Sequence, residues 1–259
     1  MLAAPVKTPP PPPSTPSDQV MEIARVLESY ARRFEQQRDS RAIFTTAYVH
    51  LSRELADALK TDTFDDPVWI AQLAQVFVRY YFDAIHAYDG HCLAQGAWAT
   101  VFRALEQRRT SVLEDLVLGM TAHIVNDLPQ ALCEVGMVGP DGVSRVRDFH
   151  TMNDVLGRAI GKVQKAVEDR YDGSLGFLDR VLESYDEVLT NYGLRISRAA
   201  GWYNAVRLME SGDRQAILDS LSRSPAITLN RLLEPPVWSL RLLVRGSRLV
   251  SRVCRRWPE

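Results

Sequence analysis

Two side chains that could do chemistry stand four residues apart in the stretch GMTAHIVNDLPQALC, namely His123 and Asp127. At about 100° per residue of helix, both fall on or beside an apolar stripe, and their spacing stacks them on one face. An imidazole and a carboxylate directed inward indicate either a buried polar site or a hydrogen-bonded pair that holds helices in register. The stripe consists of Leu113, Leu116, Val117, Met120 and Ile124.

Further polar side chains are predicted to face the same interior. Asn153 lies within the apolar stripe of a later helix, and Asp148 lies at the edge of that stripe. Asp83 falls beside apolar residues of an earlier helix. Because a carboxylate buried without a partner costs several kcal/mol, we expect these groups to converge on His123 and Asp127.

Three roles for this cluster remain open. In a metal-dependent version, His123 and Asp127 are ligands of zinc, iron or manganese, and Asp148 orients a ligand or activates water. In a metal-free version, His123 is a general base and Asp127 fixes its tautomer. In the third version, the two residues form only a satisfied pair inside the bundle.

Arg198 lies on a late helix and extends the candidate site. Its guanidinium could pair with Asp127 or Asp148, or it could hold a substrate carboxylate or phosphate through two parallel hydrogen bonds. The candidate catalytic residues are His123, Asp127, Asp148, Asn153 and Arg198.

The elements that must position these residues are helices. Apolar residues recur at spacings of three and four almost everywhere between Asp18 and Arg256. The stretch FDDPVW offers Asp66 as a helix N-cap before Pro67, and Pro129 predicts a kink or an end in the helix that carries His123. No sustained alternation and no glycine-rich phosphate loop are present. The fold class is therefore predicted to be all-α, a single-domain helical bundle of about eight to nine helices.

Composition divides the chain into three segments. Residues 1–17, MLAAPVKTPPPPPSTPS, hold seven of the fourteen prolines and predict a disordered tail. Residues 18–234 form the predicted bundle domain. Residues 235–259 contain six arginines and one acidic residue, and their pattern predicts a basic amphipathic helix with Trp238 and Trp257 near its ends.

Two interpretations of the C-terminal arginine helix remain open. It could contact an anionic membrane surface or an acidic partner over residues 238–257. It could instead pack back on the preceding chain, which holds 31 of the 32 acidic residues but 25 of the 31 basic ones. An acidic body without a recognised motif disfavours nucleic acid as a partner.

Composition also bears on the location of the protein. Hydrophobic residues make up 46% and charged residues 24% of the chain, with no apolar run as long as a membrane span or a signal peptide requires. The three cysteines form no CxxC pair. These features predict a cytoplasmic protein with reduced thiols, with or without peripheral membrane contact.

Four stretches resemble a bacterial family that carries a domain of unknown function, DUF5995. They are AQVFVRYYFDAI, LGMTAHIVNDLPQAL, RDFHTMNDVL and SRAAGWYNAVRLM. The second is the most specific, because the family pattern there is close to GMNAHINxDLPxAL, and this chain departs from it at Thr121 and Val125. The resemblance implies a shared pocket and names no reaction. The matching residues are His123, Asp127, Asp148, Asn153, Arg198 and Trp202.

The leading hypothesis is a helical enzyme with a polar core pocket around His123 and Asp127. It would act on a small or lipid-like substrate, with or without a divalent metal. The alternative is a non-catalytic helical binding or scaffold protein, held peripherally at a membrane or a partner by its C-terminal arginine helix.

Overall fold

The computed structural model describes residues 14–92, 95–107, 110–171, 191–233, 248–249 and 255–258. The regular structure in these ranges is helical apart from isolated β-bridge positions at Val138, Ser144 and Arg255, so the predicted all-α class is confirmed. In chain order the helices are α1 (Pro16–Gln36), α2 (Arg41–Ala58), α3 (Pro67–Asp89), α4 (Ala97–Glu106), α5 (Val112–Thr121), a π-helical turn (Ala122–Asp127), α6 (Leu128–Val135), α7 (Val146–Tyr171), α8 (Asn191–Glu210), α9 (Arg214–Ser222) and α10 (Ser224–Leu233).

The first helix begins earlier than the sequence predicts. Thr15 caps α1 by accepting a hydrogen bond from the backbone N–H of Asp18, whose carboxylate accepts from the Thr15 N–H in return. Both backbone N–H groups, which would otherwise have no partner at the start of the helix, are thereby hydrogen-bonded. The predicted tail over residues 1–17 is therefore wrong at its end, because helix starts at Pro16, while residues 1–13 lie outside the described part of the chain.

The start of α3 agrees with the sequence. The Asp66 side chain accepts from the Trp69 backbone N–H at 2.9 Å, and Pro67 is the first helical residue. Proline suits this position because its missing N–H would have no partner inside the helix.

The chain from Val112 to Val135 is one uninterrupted helical run, and its register changes in the middle. The backbone N–H of Leu128 donates to the carbonyl of His123, five residues earlier. Pro129 follows directly, so the helix does not end there: the wider π-helical turn precedes the proline, and α6 continues after it. Single π turns inside α-helices are frequent at functional sites.

Two apolar clusters form the interior of the bundle. The first includes buried side chains of α1–α5 and α7, and the second includes side chains of α3, α6, α7 and α8. Helices approach closely in both: a Cβ at Gly119 would lie 2.5 Å from the Phe44 ring of the first cluster, and one at Gly201 would lie 2.9 Å from Leu128 of the second. Glycine at these two positions therefore lets α5 pack on α2 and α8 pack on α6.

Most of the predicted C-terminal arginine helix, residues 235–259, lies outside the described residues, including Trp238 and Cys254. Arg248 and Leu249 are helical, whereas residues 255–258 are not, so the predicted helix does not reach Trp257. Arg248 contacts Glu114 and Arg255 contacts Asp115, both at the start of α5. The described part of this segment thus lies against the acidic body of its own chain.

Among the described helices, none is both long enough and apolar enough to cross a membrane.

Candidate functional site

A cavity lies where the two apolar clusters meet. Its walls are aliphatic and aromatic side chains from seven α-helices and the π-helical turn, and its volume is about 70 Å³. Four polar side chains also line it: Tyr48, Ser52, His123 and Arg198. Apolar walls with a few polar groups are typical of small-molecule sites, although most such sites are larger than this one.

His123 is held by Asp127 at one ring nitrogen only. The distance from Nδ1 to the Asp127 Oδ2 is 2.9 Å, and since a carboxylate only accepts, Nδ1 carries the hydrogen. The other nitrogen, Nε2, is enclosed and has no hydrogen-bond partner among the residues that the structure describes. A residue that lines the cavity therefore carries an unused, buried lone pair on Nε2.

Asp127 accepts three hydrogen bonds from its surroundings. Its Oδ2 also accepts from the Trp98 indole N–H at 2.7 Å, and its Oδ1 accepts from the Asn126 side-chain amide at 2.7 Å. Only 1% of Asp127 is exposed. These hydrogen bonds hold the carboxylate inside the bundle, where it fixes the tautomer and the orientation of His123.

Aromatic rings enclose the imidazole. Phe77 is stacked on it, with centroids 3.5 Å apart and planes 8° apart. Tyr48 and Phe44 approach its edges at centroid distances of 4.9 and 5.8 Å. The ring has little freedom to rotate, so the direction of Nε2 is set before any ligand arrives.

Burial lowers the pKa of His123 below its usual value of 6.5. The hydrogen bond and negative charge of Asp127 oppose this change, and the positive charge of Arg198 adds to it. The imidazole is therefore neutral near pH 7, with a proton on Nδ1 and a lone pair on Nε2, which is the form a general base requires.

Arg198 brings a buried positive charge to the same cavity. Its exposure is 2%; Nε donates to the Asn153 side-chain oxygen at 2.5 Å, and Nη2 approaches the Met152 sulfur at 3.0 Å. The guanidinium also lies 4.8 Å from the centroid of the Phe149 ring. Burial lowers the pKa of Arg198 to about 10, so it remains charged at neutral pH.

Sequence reasoning did not assign two residues to the site, Tyr48 and Trp98. Tyr48 keeps accessible surface although protein surrounds it on all sides, because the accessible part faces the cavity. Burial, followed by the charge of Asp127, raises the pKa of Tyr48. The hydroxyl is thus a neutral donor, and it forms no hydrogen bond within the described ranges. A tyrosine or tryptophan within a buried stripe is itself a signal, since its polar tip needs a partner.

The structure places two predicted residues elsewhere. Asp148 is buried, but it does not line the cavity: its two oxygens accept from the backbone N–H groups of Asp65 and Asp66 at 2.8 and 2.7 Å. It thereby secures the loop before α3. Asp83 lies at the surface, 4.0 Å from Arg79, so the prediction that it faces inward is wrong. The buried face of α3 turns toward Tyr81 and Ile85 near its end.

Within the described residues, no group of three histidine, cysteine, aspartate or glutamate side chains is placed to hold a metal ion. The remaining predicted residues do come together. His123 and Asp127 are in contact, and Arg198 lines the same cavity as His123. Asn153 accepts a hydrogen bond from the Arg198 side chain.

Comparison with known proteins identifies a family and no individual relative. A search of the curated proteins and a search of the solved structures give no significant match. The profile described as "Family of unknown function (DUF5995)" matches residues 20–235, which are most of the chain and include every residue of the cavity. The protein therefore belongs to the DUF5995 family.

Proposed function

We propose that this protein is a metal-free acid–base enzyme that removes a proton from a small substrate bound in the cavity. The observation that carries the proposal is the state of His123, which lines the cavity: Nδ1 is fixed by Asp127, while Nε2 is buried without a partner among the described residues. A buried acceptor left unpaired is costly, and a substrate that donates a hydrogen to Nε2 would satisfy it.

Each neighbouring group has a role in this proposal. His123 Nε2 accepts the proton, and the resulting imidazolium is stabilised by Asp127 through Nδ1. Trp98 and Asn126 hold the carboxylate in place. The apolar walls keep water from the substrate, which strengthens the interaction between the charges.

A metal-dependent version is less well supported by the donor set. A metal at His123 and Asp127 would have to replace hydrogen bonds at both carboxylate oxygens, and Asp148 is engaged with Asp65 and Asp66. Zinc and iron sites in bundles usually combine three or more such side chains from facing helices.

Proton removal can be tested by isotope exchange. Small carbonyl compounds are incubated with the protein in D₂O, and loss of the hydrogen next to the carbonyl is followed by NMR. We expect His123→Gln to slow the exchange by about 10²- to 10⁴-fold, the usual contribution of a general base. His150→Gln, which changes an exposed histidine of α7, is the matched control and should exchange at the wild-type rate.

Circular dichroism of each variant separates a lost base from a lost fold. Equal exchange rates in wild type and a folded His123→Gln variant would contradict the proposal.

A second candidate function is that of a non-catalytic binding or scaffold protein. The stacking of Phe77 on His123 and the hydrogen bond from Trp98 to Asp127 favour it, because they would also lock α3, α4 and the π-helical turn together. In that case His123→Gln lowers the melting temperature and the wild-type protein accelerates no exchange.

A further inference from the structure

We propose that the cavity binds a short-chain monocarboxylate, with the carboxylate group on Arg198 and the carbon chain among the apolar walls. This inference names the substrate class of the same cavity and in that respect rests on the proposed function. It is carried by different residues, however, and depends on recognition of charge rather than on proton transfer.

The first argument is the charge of Arg198. The other two buried arginines among the described residues each pair with carboxylates: Arg41 with Asp39 and Asp89, and Arg248 with Glu114. Arg198 has none within 4.0 Å in the part of the chain described. Since a buried charge without an opposite charge nearby is costly, a bound anion would complete this site.

The second argument is which edge of the guanidinium remains available. Asn153 and Met152 occupy Nε and one hydrogen of Nη2. Nη1 and the second hydrogen of Nη2 make no hydrogen bond to a described residue. Two adjacent N–H groups of a planar guanidinium match the two oxygens of one carboxylate.

The third argument separates a carboxylate from a phosphate. Arg198 is the sole lysine or arginine among the lining residues of the cavity in the described structure. It supplies one positive charge, which balances a monocarboxylate. A phosphate monoester carries a charge of about −1.5 to −2 at neutral pH, so part of its charge would be buried uncompensated.

The fourth argument is size. An engineered apolar cavity of about 150 Å³ holds benzene, and the volume here is about 70 Å³. A body of roughly three to five carbon atoms is therefore the expected occupant. Tyr48 is available as a neutral donor to the same ligand, because its hydroxyl also lacks a partner among described residues.

The test measures binding by titration calorimetry, with butyrate as the probe. Butyramide has the same shape without the charge, butyl phosphate replaces the anion, and octanoate extends the chain. Wild-type protein is expected to bind butyrate best of the four. If butyramide binds as tightly as butyrate, the proposed role of charge is wrong. If butyl phosphate binds more tightly than butyrate, the ligand is not a carboxylate. If octanoate binds more tightly than butyrate, the ligand is not short-chain.

Variants locate the site. Arg198→Met should weaken butyrate binding by about 10- to 100-fold, as expected for hydrogen bonds between charged groups. Arg207→Met, an exposed position on the same helix, is the matched control and should bind as wild type does. Unchanged binding in Arg198→Met would overturn the proposal, and the four-ligand comparison on wild type decides it even if this variant fails to fold.

The outcome also separates the inference from the proposed function. Binding that depends on Arg198, without isotope exchange that depends on His123, leaves the inference standing and removes the catalytic proposal. Isotope exchange that depends on His123, without any binding of butyrate, leaves the catalytic proposal standing and removes the inference about the substrate class.

Discussion

The helical run from Val112 to Val135 carries two buried polar clusters, and they are completed in different ways. At its start, the α5 acidic pair, Glu114 and Asp115, is closed by arginines of the same chain. Arg248 contacts both oxygens of Glu114 at 2.6 and 2.9 Å, and Arg255 donates to Asp115 at 2.9 Å. Every charge there has an opposite charge in contact with it.

The cluster in the middle of the run is different. His123 Nε2 is unpaired, and Arg198 has no carboxylate in contact among the described residues. Both clusters are buried to a similar degree, so burial alone does not distinguish a structural cluster from a binding site. What distinguishes them is whether the described chain itself supplies each partner.

The largest effect on stability is expected from removing an arginine that contacts the α5 acidic pair. Arg255→Met leaves Asp115 as a buried carboxylate without its cation and should lower the free energy of unfolding by about 3–5 kcal/mol. Urea denaturation at neutral pH measures this loss. Arg25→Met, in the exposed pair with Glu22, is the control and should change it by about 1 kcal/mol or less. A similar small change in Arg255→Met would show that the contact with Asp115 contributes little.

The second-largest effect on stability is expected from removing a hydrogen bond to Asp127. Trp98→Phe removes a hydrogen bond to a charged acceptor and should cost about 1–3 kcal/mol of unfolding free energy. The matched control is Trp69→Phe, which removes a hydrogen bond to the neutral carbonyl of Gly136 and should cost about 0.5–1.5 kcal/mol. Equal losses in the two variants would indicate that the charge of Asp127 does not strengthen its bond to Trp98.

The two clusters should also respond to pH in opposite directions. Burial lowers the pKa of His123, so its stabilising contribution is present above pH 6.5 and is lost as the pH falls toward the folded pKa. Burial, opposed by Arg255, raises the pKa of Asp115 to about 6, so its contribution is present below pH 3.8 and is lost as the pH rises through 6. Each slope is limited to about 1.4 kcal/mol per pH unit for one proton.

Urea denaturation between pH 4 and 8 checks these slopes. His123→Gln should remove the first and Asp115→Asn the second. Slopes that persist in the variants would assign the titrations to other groups.

The smallest effect is expected from Arg198→Met without ligand. Since replacing an uncompensated buried charge by an apolar side chain of similar volume is often neutral, the unfolding free energy should stay within about 1 kcal/mol of wild type. A loss as large as that of Arg255→Met would place Arg198 with the structural arginines and weaken the case for an anion site.

Local signals in the sequence predicted the features that depend on near neighbours in the chain. The Asp66 cap, the helix start at Pro67 and the contact between His123 and Asp127 each join residues three or four positions apart or closer. Membership of the DUF5995 family was also predictable, because the stretches that carry it are contiguous.

Partners that are distant in sequence could not be predicted in the same way. Asp148 bonds to backbone groups 83 and 82 residues away, and a periodicity argument treats any inward carboxylate as available for a site. Asp83 was misplaced because the projection centred the buried face of α3 on Trp69. At about 100° per residue, the buried side chains of Ile70, Tyr81 and Ile85 lie 100–160° from Trp69, on the side away from Asp83. The Trp98 contact with Asp127 requires the relative placement of two helices, which no local pattern contains.

The π-helical turn makes this site sensitive to the deletion of a single residue. It holds one residue more than an α-helical turn would. Deletion of Val125 could therefore restore the ordinary register while the sequence still contains His123, Asp127 and every residue that contacts them. The following residues would rotate by about 100° relative to the preceding helix, and the carboxylate would turn away from the Trp98 indole. A three-nucleotide loss in the coding sequence could therefore dismantle this centre without substituting any of its residues.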